Sequence, residues 1–384
     1  MLTSLRLRTA ETPAPILDEK VLKKPLKTLP SVEKQFLTAK TLGVDPLLKD
    51  GPPLWQKEWQ ASFRNNLSLL QFLGLDSHSA PQELGEYSAF PILVPLSFAQ
   101  RMRSGDWNDP LLRQVLGLHI ENQELPGFTS DAVGELPVHQ VSGVLRKYQG
   151  RALLLLTGKC AVHCRYCFRR EFPYEDLPLL DAQWEEVYRG LEQDTSLEEI
   201  LFSGGDPLSL SDAKLRWHWE RAAQIPHIRR IRIHTRLPVV LPSRVDAGLL
   251  SLISEQTQIK PTVLVLHIIH PNELDAHLAS RLELLRKTGA LLLNQAVLLR
   301  GINDEKKTLI ELSHKLLHAG VLPYYLHQLD RVKGSAHFEV SDARGLALME
   351  ELRASLPGYA LPRFVREVSG ATSKLEVSAI KSFV

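Results

Sequence analysis

Short apolar runs recur along the chain after about residue 149, and each has the length of one β-strand. Six such runs occupy Ala152–Thr157, Glu199–Ser203, Arg230–Thr235, Thr262–Ile269, Leu291–Leu299 and Val321–His327. The longer stretches between them have helical spacing and are Ala182–Gln193, Asp212–Gln224, Ser243–Ser254, Asn272–Lys287 and Glu305–Ala319. Because strands that alternate with helices form parallel βαβ units, the pattern predicts a partial α/β barrel. Its active site should lie at the carboxyl ends of the strands.

The hydrophobic pattern divides the whole chain into four segments. We assign them as an extended or partly disordered arm (1–50), a helical region (51–145), the barrel (146–340) and a C-terminal helix with a short tail (341–384). The arm has scattered prolines and lysines and little periodicity. Helical spacing over Trp55–Leu75 and again over Pro95–Leu118 predicts short helices, the second stretch holding a helix pair. Ser341–Leu356 predicts one more helix.

Composition excludes several classes of protein. The 384 residues are 44% hydrophobic, which is enough for a large core. Lysine and arginine exceed aspartate and glutamate by 46 − 44 = 2, so nucleic acid is not the expected partner. No apolar run approaches the ~18 residues that a membrane helix needs. Met1–Lys20 lacks the apolar centre of a secretion signal, so we expect a cytoplasmic protein.

The three cysteines of the chain lie within eight residues, directly after the first predicted strand. Cys160, Cys164 and Cys167 form a C-x3-C-x2-C pattern that lets three thiolates converge from one loop. Three thiolates suit an iron–sulfur cluster or zinc, yet both normally take four protein ligands. With no fourth cysteine, one iron of a cubane cluster would stay open for a small molecule. Zinc completed by His163 and buried cysteines without a ligand are the alternatives.

This cysteine spacing, with Tyr166 before the last cysteine, resembles the radical S-adenosylmethionine (SAM) superfamily. The segment Leu201–Pro207, LFSGGDP, is similar to the glycine-rich segment that contacts the SAM amino group in that superfamily. The resemblance implies SAM contacts from Gly204, Gly205, Asp206 and His267. Taken alone, GGDP could be any tight turn, and His267 could be a core histidine with its hydrogen bonds satisfied.

Longer segments resemble the lysine 2,3-aminomutase family, and within it the elongation factor P β-lysylation protein B type. The similar segments include KYQGRALLLLTGKCAVHCRYCFRREFPY (147–174), IPHIRRIRIHTRLPVVLP (225–242), LLNQAVLLRGIND (292–304), LPYYLHQLD (322–330) and SGATSK (369–374). The resemblance covers roughly 109–374. It implies a partial (β/α)6-type radical SAM barrel with a helical N-terminal region and a short C-terminal segment carrying a lysine for pyridoxal phosphate (PLP).

The family resemblance also implies the residues that hold PLP and the substrate carboxylate. Lys374 matches the lysine that bonds covalently to PLP, although its segment has one glycine where relatives have several. Arg151 and Gln295 match positions that bind the PLP phosphate, while Gln295 could instead satisfy backbone groups. Arg169 matches the arginine for the substrate α-carboxylate, and Arg170 is its neighbouring alternative.

Two acidic residues match family positions that bind the ε-ammonium group of lysine. They are Asp330 and Glu367, and the second is one methylene longer than the aspartate common in the family. Two carboxylates at one cationic group favour lysine over glutamate as the substrate. Either acid could instead pair with a neighbouring arginine, Arg331 or Arg366.

The resemblance therefore implies an isomerase that converts L-lysine to β-lysine with a 4Fe-4S cluster, SAM and PLP. It requires a reducing electron donor, and the product would be used by a lysyl ligase that modifies elongation factor P. One alternative is a radical SAM enzyme that modifies RNA or protein without PLP. Another is a zinc-binding adaptor without catalytic activity.

Overall fold

The computed structural model describes residues 52–81, 84, 90–136, 143–177 and 180–377. All of them belong to the same unit of the chain. The predicted arm, residues 1–50, lies outside the described residues, so that prediction is not tested. The boundaries of the other three segments also stay predictions. Within the described ranges, no helix combines the length and the apolar character needed to cross a membrane.

One open sheet of nine strands organises the described chain, and its spatial order follows the sequence from β1 to β9. The strands are β1 (Val144–Leu145), β2 (Arg151–Thr157), β3 (Glu199–Gly204), β4 (Arg230–Thr235), β5 (Thr262–His267), β6 (Leu291–Val297), β7 (Leu322–His327), β8 (Arg363–Arg366) and β9 (Leu375–Glu376). Strands β2 to β8 are parallel, while β1 and β9 pair antiparallel at opposite edges. The six predicted strands are confirmed.

The sheet differs from the sequence prediction in its extent. β8 is a seventh parallel strand that the pattern does not predict, because its four residues begin and end with arginine and only the central two are buried. β5 ends two residues earlier than predicted, since the backbone N–H of Ile268 donates to the side chain of Asn294 at 2.9 Å. β6 is shortened similarly, because the N–H of Leu299 donates to the side chain of Asn303 at 2.8 Å.

Helices cover the outer face of the parallel strands. The described α-helices are α1 (Leu54–Gln60), α2 (Asn66–Phe72), α3 (Leu96–Ala99), α4 (Asp181–Gln193), α5 (Asp212–Gln224), α6 (Leu237–Val240), α7 (Ala247–Ile259), α8 (Ala276–Lys287), α9 (Lys306–His318) and α10 (Asp342–Arg353). Side chains of Ser211, Asp246 and Asp275 cap the first turns of α5, α7 and α8 by accepting a backbone N–H. These caps fix where each crossover helix leaves the active-site edge of the sheet.

The predicted helix pair over Pro95–Leu118 is wrong. The structure has only the four-residue helix α3 and a 3₁₀ turn at Leu112–Gln114 in this stretch. Asp109 stops any longer helix, because its buried carboxylate accepts hydrogen bonds from the N–H groups of Leu111 and Leu112. The chain then runs as a loop that packs against the cysteine-containing segment.

The N-terminal region supports the barrel edge that carries the cysteines. The N–H groups of His163 and Arg165, both in the cysteine loop, donate to the carbonyl groups of Leu93 and Gln114 at 3.0 and 2.9 Å. The buried guanidinium of Arg165 also forms an ion pair with buried Glu121. The cysteine loop is therefore held on both its backbone and its side chains.

Candidate active site

A cavity of about 430 Å³ opens inside the partial barrel and is lined by residues from most of its strands and by the loop after β2. All thirteen residues that the sequence assigns to a site line this one cavity. They are Arg151, Cys160, Cys164, Cys167, Arg169, Gly204, Gly205, Asp206, His267, Gln295, Asp330, Glu367 and Lys374. The structure thus brings the predicted residues together, while their individual roles stay predictions.

The cysteines occupy the loop between β2 and α4, as the pattern predicts. All three are half-buried and free of disulfides. Burial raises the pKa of the Cys160 thiol well above its usual value and that of Cys167 to about 11. Because metals bind the thiolate form, ligation at this loop must release protons.

The zinc alternative depends on His163, which could bind a metal only through Nε2 because Nδ1 faces a backbone carbonyl. Its Nδ1 lies 2.9 Å from the carbonyl oxygen of Pro91, and its ring stacks on Phe90 with centroids 5.1 Å apart. Among the described residues, no three His, Cys, Asp or Glu side chains are placed to hold a single metal ion. A cubane cluster has a different requirement, since each thiolate binds its own iron. Three cysteines from one loop suit that donor set.

The glycines at the end of β3 let two backbone segments meet. A Cβ atom on Gly204 would lie 2.3 Å from the carbonyl oxygen of Thr157, and one on Gly205 would lie 2.4 Å from that of Lys159. Gly204 also has a φ of +123°, which L side chains rarely adopt. β3 therefore packs directly on the start of the cysteine loop. This close packing explains why both positions require glycine, independently of the predicted contact with SAM.

We expect Gly205→Ala to lower the free energy of unfolding by ~1–3 kcal/mol, the usual cost of forcing extra atoms into a packed site. It should also lower the iron content of reconstituted protein, because the clash falls on the cysteine loop. Denaturant unfolding and iron analysis measure both effects. Gly190→Ala is the matched control, since a Cβ atom added at that helical position would meet no other segment of the described chain within 4 Å. Wild-type stability and iron content in Gly205→Ala would contradict the packing argument.

Asp206 connects the ends of β3 and β4 through its buried carboxylate. It accepts hydrogen bonds from the hydroxyl of Thr235 at 2.8 Å and from the N–H groups of Leu208, Arg236 and Leu237 at 3.1, 2.7 and 2.9 Å. Burial raises the pKa of Asp206 to about 6 in spite of these four donors. Both oxygens are thus used within the protein, and a contact with SAM stays a prediction.

Arg169 forms a buried, bidentate ion pair that the sequence does not reveal. Its Nε and Nη2 donate to the two carboxylate oxygens of Glu135 at 2.7 and 2.8 Å, and its Nη1 donates to the hydroxyl of Ser203 at 3.0 Å. No motif marks Glu135, which lies 34 residues earlier in the chain. Arg170 instead donates to the carbonyl oxygen of Arg165 and pairs with Glu121. Of the two arginines, Arg169 is the one that lines the cavity.

Lys374 and Glu367 form an ion pair in the cavity wall. Glu367 also accepts from the ammonium group of Lys147 at 2.7 Å and from the hydroxyl of Tyr148. Burial alone would raise the pKa of Glu367, but the ammonium groups of Lys374 and Lys147 outweigh it and lower that pKa to about 2. Lys147 has no counterpart among the predicted site residues. Glu367 therefore stays ionised and already has two cationic neighbours.

Asp330 lies near this cluster, and none of the described residues gives it a cationic partner as close as those of Glu367. Burial, together with the charge of Glu367, raises the pKa of Asp330 to about 7. The neighbouring arginines that could have paired with the two acids have other partners: Arg331 binds Glu339 at 2.7 Å, and Arg366 binds Asp342. That alternative is therefore wrong, and both carboxylates face the cavity.

The wall that contains Arg151 has a surplus of positive charge. Arg151, Arg230 and Arg232 surround the single carboxylate of Glu199, with N···O distances of 3.8, 3.6 and 3.1 Å. Arg151 and Arg232 both line the cavity, as does Gln295. A surplus of guanidinium groups suits a phosphate group. The chemistry of this wall fits PLP at the position that the resemblance implies.

Three histidines of the cavity wall are held neutral by burial, which lowers the pKa of His234 and His267 well below its usual value and that of His327 to about 3. The Nε2 of His267 lies 3.3 Å from the hydroxyl of Tyr166. The Nε2 atoms of His234 and His327 are buried and have no hydrogen-bond partner among the described residues. A buried polar atom without a partner is costly, so these two nitrogens suit contact with a bound molecule. Only their position on predicted strands could have marked them.

Comparison with known proteins gives a consistent result. The family model of the radical SAM superfamily matches residues 154–312, which include the cysteine loop. The L-lysine 2,3-aminomutase of Escherichia coli (strain K12) is 45% identical over 310 residues, covering 80% of this chain and 89% of that protein. The L-lysine 2,3-aminomutase of Haemophilus influenzae is 39% identical over 323 residues, covering 83% and 95%. That of Clostridium subterminale is 33% identical over 336 residues, covering 86% and 80%.

The similarity extends over most of each chain, and its superfamily match spans the loop that carries the three cysteines and the end of β3. The chain therefore belongs to the lysine 2,3-aminomutase family of the radical SAM superfamily.

Proposed function

We propose that this protein converts L-lysine to β-lysine by moving the α-amino group to C3, in a reaction that depends on SAM and PLP. One observation carries the proposal: a single cavity contains the three cysteines, Lys374 and the two carboxylates, Asp330 and Glu367. The cluster-binding end supports radical formation. The rest of the cavity supports binding of an amino acid with a cationic side chain, because it places the amine of Lys374 beside two carboxylates.

The names of the relatives support the same substrate, since those from Escherichia coli and Haemophilus influenzae are called L-lysine 2,3-aminomutase. Membership of this family implies a 4Fe-4S cluster, SAM and PLP. When bound, these groups supply a radical that removes hydrogen from C3 of the substrate and a covalent link that allows the nitrogen to migrate.

The chain's own residues position the substrate. Arg169 binds the α-carboxylate, and Glu135 holds the guanidinium plane in place by its bidentate contact. Asp330 and Glu367 bind the ε-ammonium group. Lys374 would hold PLP through its amine, which then no longer pairs with Glu367 and leaves that carboxylate for the ε-ammonium group. The cavity inside the partial barrel limits the access of water to the radical.

Asp330→Asn is expected to lower kcat/KM for lysine by a factor that corresponds to at least ~1.5–3 kcal/mol, the free energy of a charge-assisted hydrogen bond. The cluster and PLP should be retained. Glu367→Gln should also weaken turnover. Steady-state kinetics under anaerobic conditions measure the effect. Asp342→Asn is the control, because that aspartate pairs with Arg366. Unchanged lysine kinetics in both cavity variants would show that the ammonium group binds elsewhere.

The same carboxylate predicts a pH dependence. Because the pKa of Asp330 is raised to about 7, its carboxyl group is neutral below that pH and ionised above it. The ε-ammonium group of lysine, with a pKa of ~10.4, stays charged over this range. We therefore expect kcat/KM to rise as pH rises through about 7. Asp330→Asn should remove this limb, and a variant that retains it would contradict the assignment.

Anaerobic incubation of reconstituted protein with lysine, SAM, PLP and dithionite tests the proposed reaction, with chromatography for β-lysine. A radical SAM enzyme that modifies RNA or protein without PLP would cleave SAM yet bind no PLP and form no β-lysine. An adaptor would bind zinc without iron or sulfide.

The proposed use of β-lysine is modification of elongation factor P in the cytoplasm, through a lysyl ligase. Similarity to the β-lysylation protein B type supports it. Mass spectrometry of elongation factor P from cells that lack this protein tests the link. Loss of the added mass, restored by the wild-type gene and not by Lys374→Ala, is the expected result. An unchanged modification would contradict it.

A further inference from the structure

A buried arginine directly after β4 contacts one of the three cysteine sulfurs. Arg236 is only 6% exposed. Its Nη1 donates to the Sγ of Cys164 at 2.7 Å and to the hydroxyl of Tyr166 at 2.6 Å. The guanidinium also lies 5.8 Å from the centre of the Tyr166 ring. Its charge is therefore fixed beside the middle cysteine of the loop.

A buried carboxylate balances this charge from the other side. Arg236 Nη2 forms an ion pair with Glu273 at 3.2 Å and also donates to the side chain of Gln114. Glu273 has no exposed surface. It is held by the N–H groups of Ile269 and His270, which both donate to it at 3.0 Å. Its position does not depend on Arg236 alone.

We propose that Arg236 is a positioning residue that raises the reduction potential of the cluster at Cys160, Cys164 and Cys167, and that Glu273 opposes this effect. The inference rests on the cluster of the proposed function. Reduction adds one electron from an external reductant, so the reduced cluster carries one more negative charge. An N–H donor and a positive charge at a ligating sulfur stabilise that reduced form. A carboxylate nearby destabilises it.

The opposing charges allow a test with two opposite signs. In anaerobically reconstituted protein titrated with dithionite, Arg236→Gln should shift the midpoint potential to a more negative value. Glu273→Gln should shift it to a more positive value, because the charge of Arg236 is then no longer balanced. Arg236→Lys should recover part of the first shift. Electron paramagnetic resonance of the reduced cluster provides the readout, which does not depend on turnover.

Arg244→Gln is the matched control, because Arg244 is an equally buried arginine that binds the carbonyl of Leu208 and Asp212 instead of a cysteine. Its potential should equal that of the wild type. A purely structural role for Arg236 predicts no opposite shifts. Wild-type midpoint potentials in both Arg236→Gln and Glu273→Gln, or shifts of the same sign, would overturn this inference without affecting the proposed function.

If Arg236→Gln takes up no cluster, the midpoint potentials of Glu273→Gln and Arg236→Lys test the inference instead. A wild-type potential in both overturns the inference, and a positive shift in Glu273→Gln supports it. A wild-type protein that takes up no cluster overturns the proposed function and this inference with it.

Discussion

Replacing Cys160, Cys164 or Cys167 by alanine is expected to abolish the iron–sulfur absorbance and the reductive cleavage of SAM together. The physical reason is the ligand count: the chain has three cysteines, so no spare thiolate can replace a lost one. A cubane with two protein ligands has two irons without a thiolate from the chain. Visible absorbance and the yield of 5′-deoxyadenosine under dithionite measure the two effects.

His163→Ala is the control for this experiment, because His163 lies in the same loop and contacts the carbonyl of Pro91. It should retain both the cluster and SAM cleavage. Loss of metal in His163→Ala would favour the zinc site instead. Full SAM cleavage by any single cysteine variant would contradict the cluster assignment.

Lys374→Ala is expected to lose the covalent attachment of PLP and all aminomutase activity while the cluster remains. The amine of Lys374 lies in the cavity wall and forms an ion pair with Glu367. In the sequence, Lys374 is far from the cysteine loop, so its replacement should not disturb the cluster ligands. Borohydride reduction followed by peptide mapping should place the pyridoxyl label on Lys374.

Lys147→Ala provides a close control, since Lys147 binds the same carboxylate of Glu367. It should keep the label on Lys374. A label on Lys147 in the wild type, or an undiminished label in Lys374→Ala, would show that the chain uses another lysine.

The sequence pattern predicts most of the barrel because the spacing of apolar residues within each segment distinguishes its strands from its helices. Strand-length apolar runs such as Leu291–Val297 alternate with helices, and each parallel strand carries its loop to the same edge. The cysteine loop and the segment with Gly204 therefore meet without further information. β8 is not predicted in this way, because a four-residue segment with arginine at both ends has no pattern that distinguishes a strand from a loop.

The residues that sequence reasoning misses act through contacts between distant parts of the chain. Glu135 meets Arg169 across 34 positions, and Arg236 meets Cys164 across 72. Lys147 reaches Glu367 from near the other end of the sheet. Neither spacing nor composition encodes such pairs, because only the folded sheet brings their strands and loops to one cavity.

The most direct test of the proposed reaction follows the nitrogen atom itself. Lysine labelled with ¹⁵N at the α-amino group is incubated anaerobically with the reconstituted protein, SAM, PLP and dithionite, and the product is examined by nuclear magnetic resonance. The expected result is β-lysine with ¹⁵N bonded to C3, formed in large excess over the SAM consumed. Cleavage of SAM while the ¹⁵N stays on C2 of lysine would contradict the proposed function.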